Sequence, residues 1–315
     1  GYIHAELKKI GLPVDLVQCL PSPITKESTL ELMKQADLVV ATGSQNNIRT
    51  AATCGTPAFG VGAGNVASII DLSANLKEAA QAITASKTFD NATSCSSENS
   101  TVILDGVYEN AIQALKAAGG VLLSADEKQQ LQAAMWPNGK LSSIVTAQKA
   151  AKIAEIAGLA DARFANARFL MVEETGTGPK FPYSGEKLSP VLTVYRAKDF
   201  DTACQRVSDI YAYQGAGHSV GIHSQDDANI LRLGLELPVS RVIVNQAHCF
   251  ATGGSFDNGL PFSLSMGCGT WGGNNFSDNM NYRNYMNTTR IARTIPVRMP
   301  TENEIFGDYL ARHGA

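Results

Sequence analysis

One cysteine, Cys95, stands in the stretch "KTFDNATSCSSENS", residues 87–100, which contains no Leu, Ile or Val. Hydroxyl side chains flank it at Thr93, Ser94, Ser96 and Ser97. A cysteine that serves packing usually sits in an apolar run. A nucleophilic one needs access and a stabilised thiolate, and small neighbours give a substrate room to approach. Composition by itself leaves open that Cys95 is merely a small loop residue. Two glycine-rich turns could approach a phosphate or a reacting centre: "ATGSQNN", with Thr42, Gly43 and Ser44, and "GVGAGNV", with Gly62. The second lacks the third spaced glycine of a dinucleotide fingerprint, so taken alone it reads as a tight turn. His218, in "GAGHSVGIHS", reads equally as a core histidine at the start of a strand. Glu186, in "SGEKLSPVL", reads as an exposed loop acid. Only their co-occurrence in this order raises them above those readings.

The remaining composition narrows the class. The chain has 315 residues, 44% hydrophobic and 17% charged, long enough for two domains with substantial cores. Its 26 basic and 29 acidic residues form no basic block, which argues against a nucleic-acid surface. No apolar run is long enough to span a bilayer, and the start, "GYIHAELKKIGLPVDLV", lacks the pattern of a signal peptide. The six cysteines, Cys19, Cys54, Cys95, Cys204, Cys249 and Cys268, form no CxxC pair and match no metal-ligand spacing. Scattered unpaired thiols suit a reducing compartment, so a cytoplasmic protein is expected.

Strands alternate with helices of about ten residues, the pattern of a parallel sheet with crossover helices. In the first ninety residues, "VDLVQCL", "ADLVVATG" and "PAFGVGAG" read as strands. "YIHAELKKIG", "TLELMKQA" with Ser28 as its cap, "NNIRTAATCG" and "LKEAAQAITASKTF" read as helices. Ligands on such sheets bind at the carboxyl ends of strands, which here lead into residues 42–47 and 60–66. A second α/β unit follows Cys95. Its expected strands are "STVILDG", the start of "SIVTAQKAAKIAEIAGL", "ARFLMVE", "PVLTVYRA", "HSVGIHS" and "SRVIVNQ". Its helices include "SADEKQQLQAAMW", capped by Ser124. From about residue 260 the chain turns rich in glycine and asparagine, and "TTRIARTIPV" is a strand candidate for pairing with another subunit.

The ordered set "ATGSQNN", "GVGAGN", "SKTFDNATSCSSEN", "EKLSPVLTVYRAKDF", "GAGHSVGIHS" and "PFSLSMGCGTWGGN" resembles the aldehyde dehydrogenase superfamily, and more narrowly its CoA-acylating branch. The resemblance covers nearly the whole chain. It implies an α/β fold truncated at its N-terminus: a partial Rossmann-like NAD(P)-binding domain over 1–92, a catalytic α/β domain over 93–278 and an oligomerisation tail over 279–315. It implies that Cys95 is the nucleophile, with His218 supporting it or the CoA thiol. Glu186 holds the nicotinamide ribose, and Thr42, Gly43, Ser44 and Gly62 lie along NAD or NADP. Hydrolytic members carry a water-activating glutamate where this chain has Val61, so a thiol such as coenzyme A becomes the better acyl acceptor. The implied reaction is oxidation of a short aldehyde to its acyl-CoA. Sulfoacetaldehyde is the favoured substrate, with acetaldehyde or succinate semialdehyde as alternatives, in a homo-dimer or tetramer that needs no metal. A sulfonate wants N–H donors, and Asn245 and His248 are candidates to bind it, though His248 reads equally as a loop residue. The family's N-terminal region has no counterpart here, so activity of this segment alone is not expected. A non-catalytic structural fragment is the rival reading from outside the enzyme class.

Overall fold

The computed structural model describes residues 1–62 and 64–314. The chain forms two compact units, Gly1–Asn281 and Tyr282–Ala315. Within the first, two parallel sheets form. Strands β1 (Val39–Thr42) and β2 (Ala58–Val61) pair in parallel, connected through the helix Gln45–Thr53. That helix starts at Ser44, whose Oγ accepts the Asn47 N–H at 3.3 Å, the usual way of satisfying an orphan first-turn donor.

The larger sheet has seven strands: β3 (Val66–Ile70), β4 (Glu98–Leu104), β5 (Gly120–Leu122), β6 (Phe169–Glu173), β7 (Val191–Ala197), β8 (Val220–His223) and β9 (Val242–Val244). All pairs are parallel, in the order β5-β6-β7-β4-β3-β8-β9. A parallel sheet is covered on both faces, and the two-residue period of a strand divides its side chains between them. On one face Ile69, Val102 and Leu104 pack with Val207 and Ile210 of the helix Phe200–Tyr213 and Leu233 of the helix Asp227–Glu236. On the other, Ile70 and Ile103 pack with Ile83 of the helix Leu76–Thr88 and Leu115 of the helix Tyr108–Ala117.

Several expectations are corrected. Strand β3 is the main omission: "VASII" lies between a glycine turn and a helix and was not anticipated, yet it pairs with both β4 and β8. The two sheets divide between Val61 (β2) and Val66 (β3). "VDLVQCL" forms a 3-10 turn at Val14–Leu16 and no strand. Only the helix Ala150–Ile156 appears within "SIVTAQKAAKIAEIAGL". The cap of the helix Lys26–Gln35 is Thr25, and Ser28 is its capping-box partner three residues in. Ser124 caps the helix Ala125–Met135 through a capping box with Glu127.

In the second unit, a 3-10 turn at Tyr282–Tyr285 is followed by residues 286–300 without helix or strand and by the helix Glu302–His313. The strand expected in "TTRIARTIPV" is therefore absent from the single chain. A strand exists only where a second edge takes up its N–H and C=O groups, and none is found there among the described residues. Among the described residues, no helix is long and apolar enough to cross a membrane.

Ile69, fully buried at the centre of the larger sheet, tests the importance of β3. Ile69→Ala should cost about 2–5 kcal/mol, as cavity-forming core truncations do. Urea unfolding followed by circular dichroism reads this; an unchanged midpoint would contradict a central load on β3.

Candidate active site

The parallel register brings the chemistry together. Val66 pairs with Glu98, Ala67 with Val220, and Val220 with Val242. The residues just before these partners therefore line one edge of the larger sheet, at the amino ends of its strands. Cys95 precedes β4, His218 precedes β8 and Arg241 precedes β9. Thr42 and Val61, by contrast, end β1 and β2, so the glycine turns leave the carboxyl ends of the smaller sheet. The site lies where those carboxyl ends meet the amino ends of the larger sheet.

Gly64 joins the two sets. A Cβ there would sit 2.3 Å from the Cys95 carbonyl oxygen and 3.2 Å from the Cys95 Cβ, so only glycine fits. Asn65, buried beside it, donates from Nδ2 to the carbonyls of Ser184 (2.8 Å) and Gln214 (3.2 Å). Gln214 in turn accepts the Glu186 N–H through Oε1 at 3.2 Å. One asparagine thus ties the turn before β3 to the loop carrying Glu186.

The backbone ahead of Cys95 is unusual. Asp90, Asn91 and Ala92 all have positive φ, 48°, 49° and 58°. Asp and Asn tolerate this left-handed region better than other side-chain-bearing residues, which gives the "DN" pair its physical reason. Thr93 Oγ1 donates to the Asp90 carbonyl at 2.8 Å, and Asn91 Nδ2 donates to the Ala147 carbonyl at 3.0 Å. These bonds hold the sharp turn that delivers Cys95.

The electrostatics favour neutral groups. Burial and the nearby Glu186 carboxylate raise the Cys95 thiol above its usual range, while Ser96 and the Arg241 guanidinium act in the opposite direction. Burial pushes Glu186 up to about 7, with Lys187 and Lys87 opposing. Burial also lowers Lys87 and raises Glu98, each partly compensated by the other's charge. Burial alone dominates at Cys249 and Cys268, pushed up to about 11. Arg241 is anchored by four hydrogen bonds, to Asn279 Oδ1 (2.7 Å) and to the carbonyls of His218 (3.1 Å), Gly267 (2.9 Å) and Ser277 (2.9 Å).

The expected residues separate into groups. Thr42, Gly43, Ser44 and Gly62 lie together: a Cβ on Gly62 would fall 2.7 Å from Gln45 Nε2, in the first turn of the helix capped by Ser44. Thr42, Asn46, Asn47 and Arg49 help line an open cavity of about 740 Å³. That volume, a helix N-terminus and an apolar wall including Val40 and Ala41 fit a dinucleotide. Cys95 and Glu186 sit within each other's field. His248 and Asn245 have other partners than the expected anion. His248 is buried against Ser219, with Nε2 at 2.8 Å from Oγ. Asn245 spends its amide on the Ser224 backbone, accepting the N–H at 2.9 Å and donating to the carbonyl at 2.7 Å. Not anticipated were Asn65, Lys87, Glu98, Ser219, Arg241 and Cys268. The signal available was a charged or polar residue inside an otherwise apolar or small-residue stretch, as with Arg241 in "SRVIV".

Comparison with known proteins identifies the family. The aldehyde dehydrogenase family model matches residues 2–177. The chain belongs to the aldehyde dehydrogenase family. It is 64% identical over 314 residues to "Sulfoacetaldehyde dehydrogenase (acylating)" of Cupriavidus necator, covering 100% of this chain and 64% of that relative. It is 38% identical to the protein of the same name from Bilophila wadsworthia, covering 99% of this chain and 68% of the relative. An acetylating aldehyde dehydrogenase from Geobacillus thermoglucosidasius has the same fold, with a TM-score of 0.88 at 34% identity over 95% of this chain and 66% of that one. The chain thus spans about two thirds of the length of these aldehyde dehydrogenases.

The Glu186 carboxylate disfavours the Cys95 thiolate, so its removal has a defined sign. Glu186→Gln should lower the thiol pKa and speed alkylation of Cys95 by iodoacetamide at pH 8. Mass spectrometry of the alkylated peptide across pH gives the titration. An unshifted profile would show that the two groups do not interact.

Proposed function

We propose that this chain carries the thiol-bearing part of a CoA-acylating aldehyde dehydrogenase, which interconverts a short aldehyde, sulfoacetaldehyde in the first place, and its acyl-CoA. The carrying observation is the contact of Gly64 with Cys95, which sets the thiol against the turn following β2. The substrate rests on the 64% identity to an acylating sulfoacetaldehyde dehydrogenase across the whole chain.

Cys95 adds as thiolate to the aldehyde carbon, and the Cys95 backbone N–H is the natural donor to the developing oxyanion. Thr42, Gly43, Ser44, Gly62 and Glu186 would hold NAD or NADP, which would supply the hydride acceptor. Cys95 is then left acylated. His218 takes the thiol proton of CoA on Nε2 as its sulfur attacks the acyl carbon, and the bond to Cys95 breaks to return the thiolate. Val61 supports this outcome. It is almost fully buried, at 1% exposure, and cannot activate water. With no carboxylate at that position, a thiol outcompetes water for the acyl group.

In the complete polypeptide, Cys95→Ala should abolish aldehyde-dependent NAD(P)H formation while leaving the circular dichroism spectrum intact. Turnover retained by a clean preparation would remove Cys95 from the nucleophile's role.

The tail supports a homo-oligomer, dimer or tetramer. Ile291, Ile295, Val297 and Met299 are each at least 78% exposed on a segment that has no ladder partner among the described residues. Such a β-prone segment is a template for another chain. Deleting residues 282–315 should reduce the molar mass measured by light scattering; an unchanged oligomer with intact secondary structure would sink this assignment.

A further inference from the structure

Behind His218 lies a hydrogen-bonded chain that the reaction above does not use. His218 Nδ1 is 2.7 Å from Ser219 Oγ, and the same oxygen is 2.8 Å from His248 Nε2. His218 and Ser219 are fully buried and His248 is 1% exposed. Among the described residues, the outer nitrogens, His218 Nε2 and His248 Nδ1, have no hydrogen-bond partner. Gly221 makes room for the far ring: a Cβ there would lie 3.0 Å from His248 Nδ1 and 3.0 Å from the Ser68 Cβ.

We infer that His248, acting through Ser219, is a positioning residue that holds His218 in the tautomer with the proton on Nδ1 and the lone pair on Nε2. This rests on the reading of His218 as the base for CoA. The reasoning is a count of protons. A serine hydroxyl has one proton to donate and can accept others, and a neutral imidazole has one N–H. If Ser219 donates to His248 Nε2, His218 donates Nδ1–H to Ser219 and its Nε2 is a free base. If Ser219 donates to His218 Nδ1, the His218 proton must sit on Nε2, and the ring cannot accept a thiol proton. His248, with its own proton on Nδ1, supplies the acceptor that permits the first arrangement. Without it, the Ser219 proton has only His218 to go to, and the base is switched off. Asp or Glu plays the orienting part in many such sites; here a second neutral ring does.

Neutral rings are what this environment favours. Burial pushes His218 down to about 3 and His248 well below its usual range. The charged and titratable groups facing them act in the same direction: Arg241 on both rings, and on His248 also His218 and His223. In the resting enzyme both rings are therefore neutral, and the tautomer is what remains to be set before the thiol proton is taken.

The test uses the complete polypeptide with ¹⁵N-labelled histidine and three variants. In the unsubstituted protein, ring-nitrogen NMR should show His218 protonated on Nδ1. His248→Leu, which offers no acceptor, should flip it to Nε2–H. The same variant should slow transfer of the acyl group to CoA by about 10–100-fold, part of the ~10²–10⁴ carried by a general base. The single-turnover burst of NAD(P)H should keep its amplitude, because acylation precedes the step. His248→Gln, whose amide oxygen can accept from Ser219, should restore most of the transfer rate and the Nδ1–H tautomer. A role in packing alone would give no such rescue. A His218→Ala enzyme slow in transfer beside a His248→Leu enzyme at full rate would overturn the inference while leaving the base in place. A His218→Ala enzyme at full rate would overturn both. If His248→Leu does not fold, the tautomer in the unsubstituted protein decides: a proton on His218 Nε2 overturns the inference.

Discussion

The close approach of Gly64 to Cys95 is the constraint on which the rest of the site depends. Those two segments belong to different sheets' approaches: one leaves β2, the other enters β4. With 2.3 Å between a hypothetical Gly64 Cβ and the Cys95 carbonyl oxygen, no other residue allows the backbones to meet. From this contact follow the positions of Asn65, which ties Ser184 and Gln214, and of Glu186, which Gln214 holds. The parallel register then fixes Ser219 and Arg241 at the same edge, since Val220 pairs with Ala67 of β3 and Val242 pairs with Val220.

This arrangement inverts the common rule for open α/β sheets, in which ligands sit at carboxyl ends of strands. The rule holds for the small sheet, where Thr42 and Val61 lead into the turns. The larger sheet contributes its amino ends. The consequence is a candidate site between the two sheets, with Cys95 and Glu186 half-buried. Burial sets the direction of nearly every perturbed group: thiols and carboxyls rise, lysines and histidines fall. Catalysis at such a site works through hydrogen-bond placement and the few charges retained, such as Arg241, more than through free ionisation.

The candidate site could be named from the sequence because its candidates depend on residue type in local context. A cysteine among hydroxyls and glycines at strand ends are properties of short stretches. So were most helices, whose periodicity and caps, such as Ser124 with Glu127, are written within a dozen residues. The failures came where context is not local. "VASII" is five residues long with no flanking signal of its own, and it becomes a central strand only because β4 and β8 pair with it. "TTRIARTIPV" has the composition of a strand but no partner edge in the chain.

The sequence by itself determined the alternation of strands and helices, the parallel sheet it demands, and the residue types able to act as nucleophile, base and cofactor loop. Tertiary structure alone decided who touches whom. It placed His248, 29 residues beyond Ser219, in hydrogen-bond range of it, and spent Asn245 on the Ser224 backbone. The physical reason is that hydrogen-bond partners and burial arise from strand register and crossover packing between segments far apart in the chain. No short window of residues carries that information.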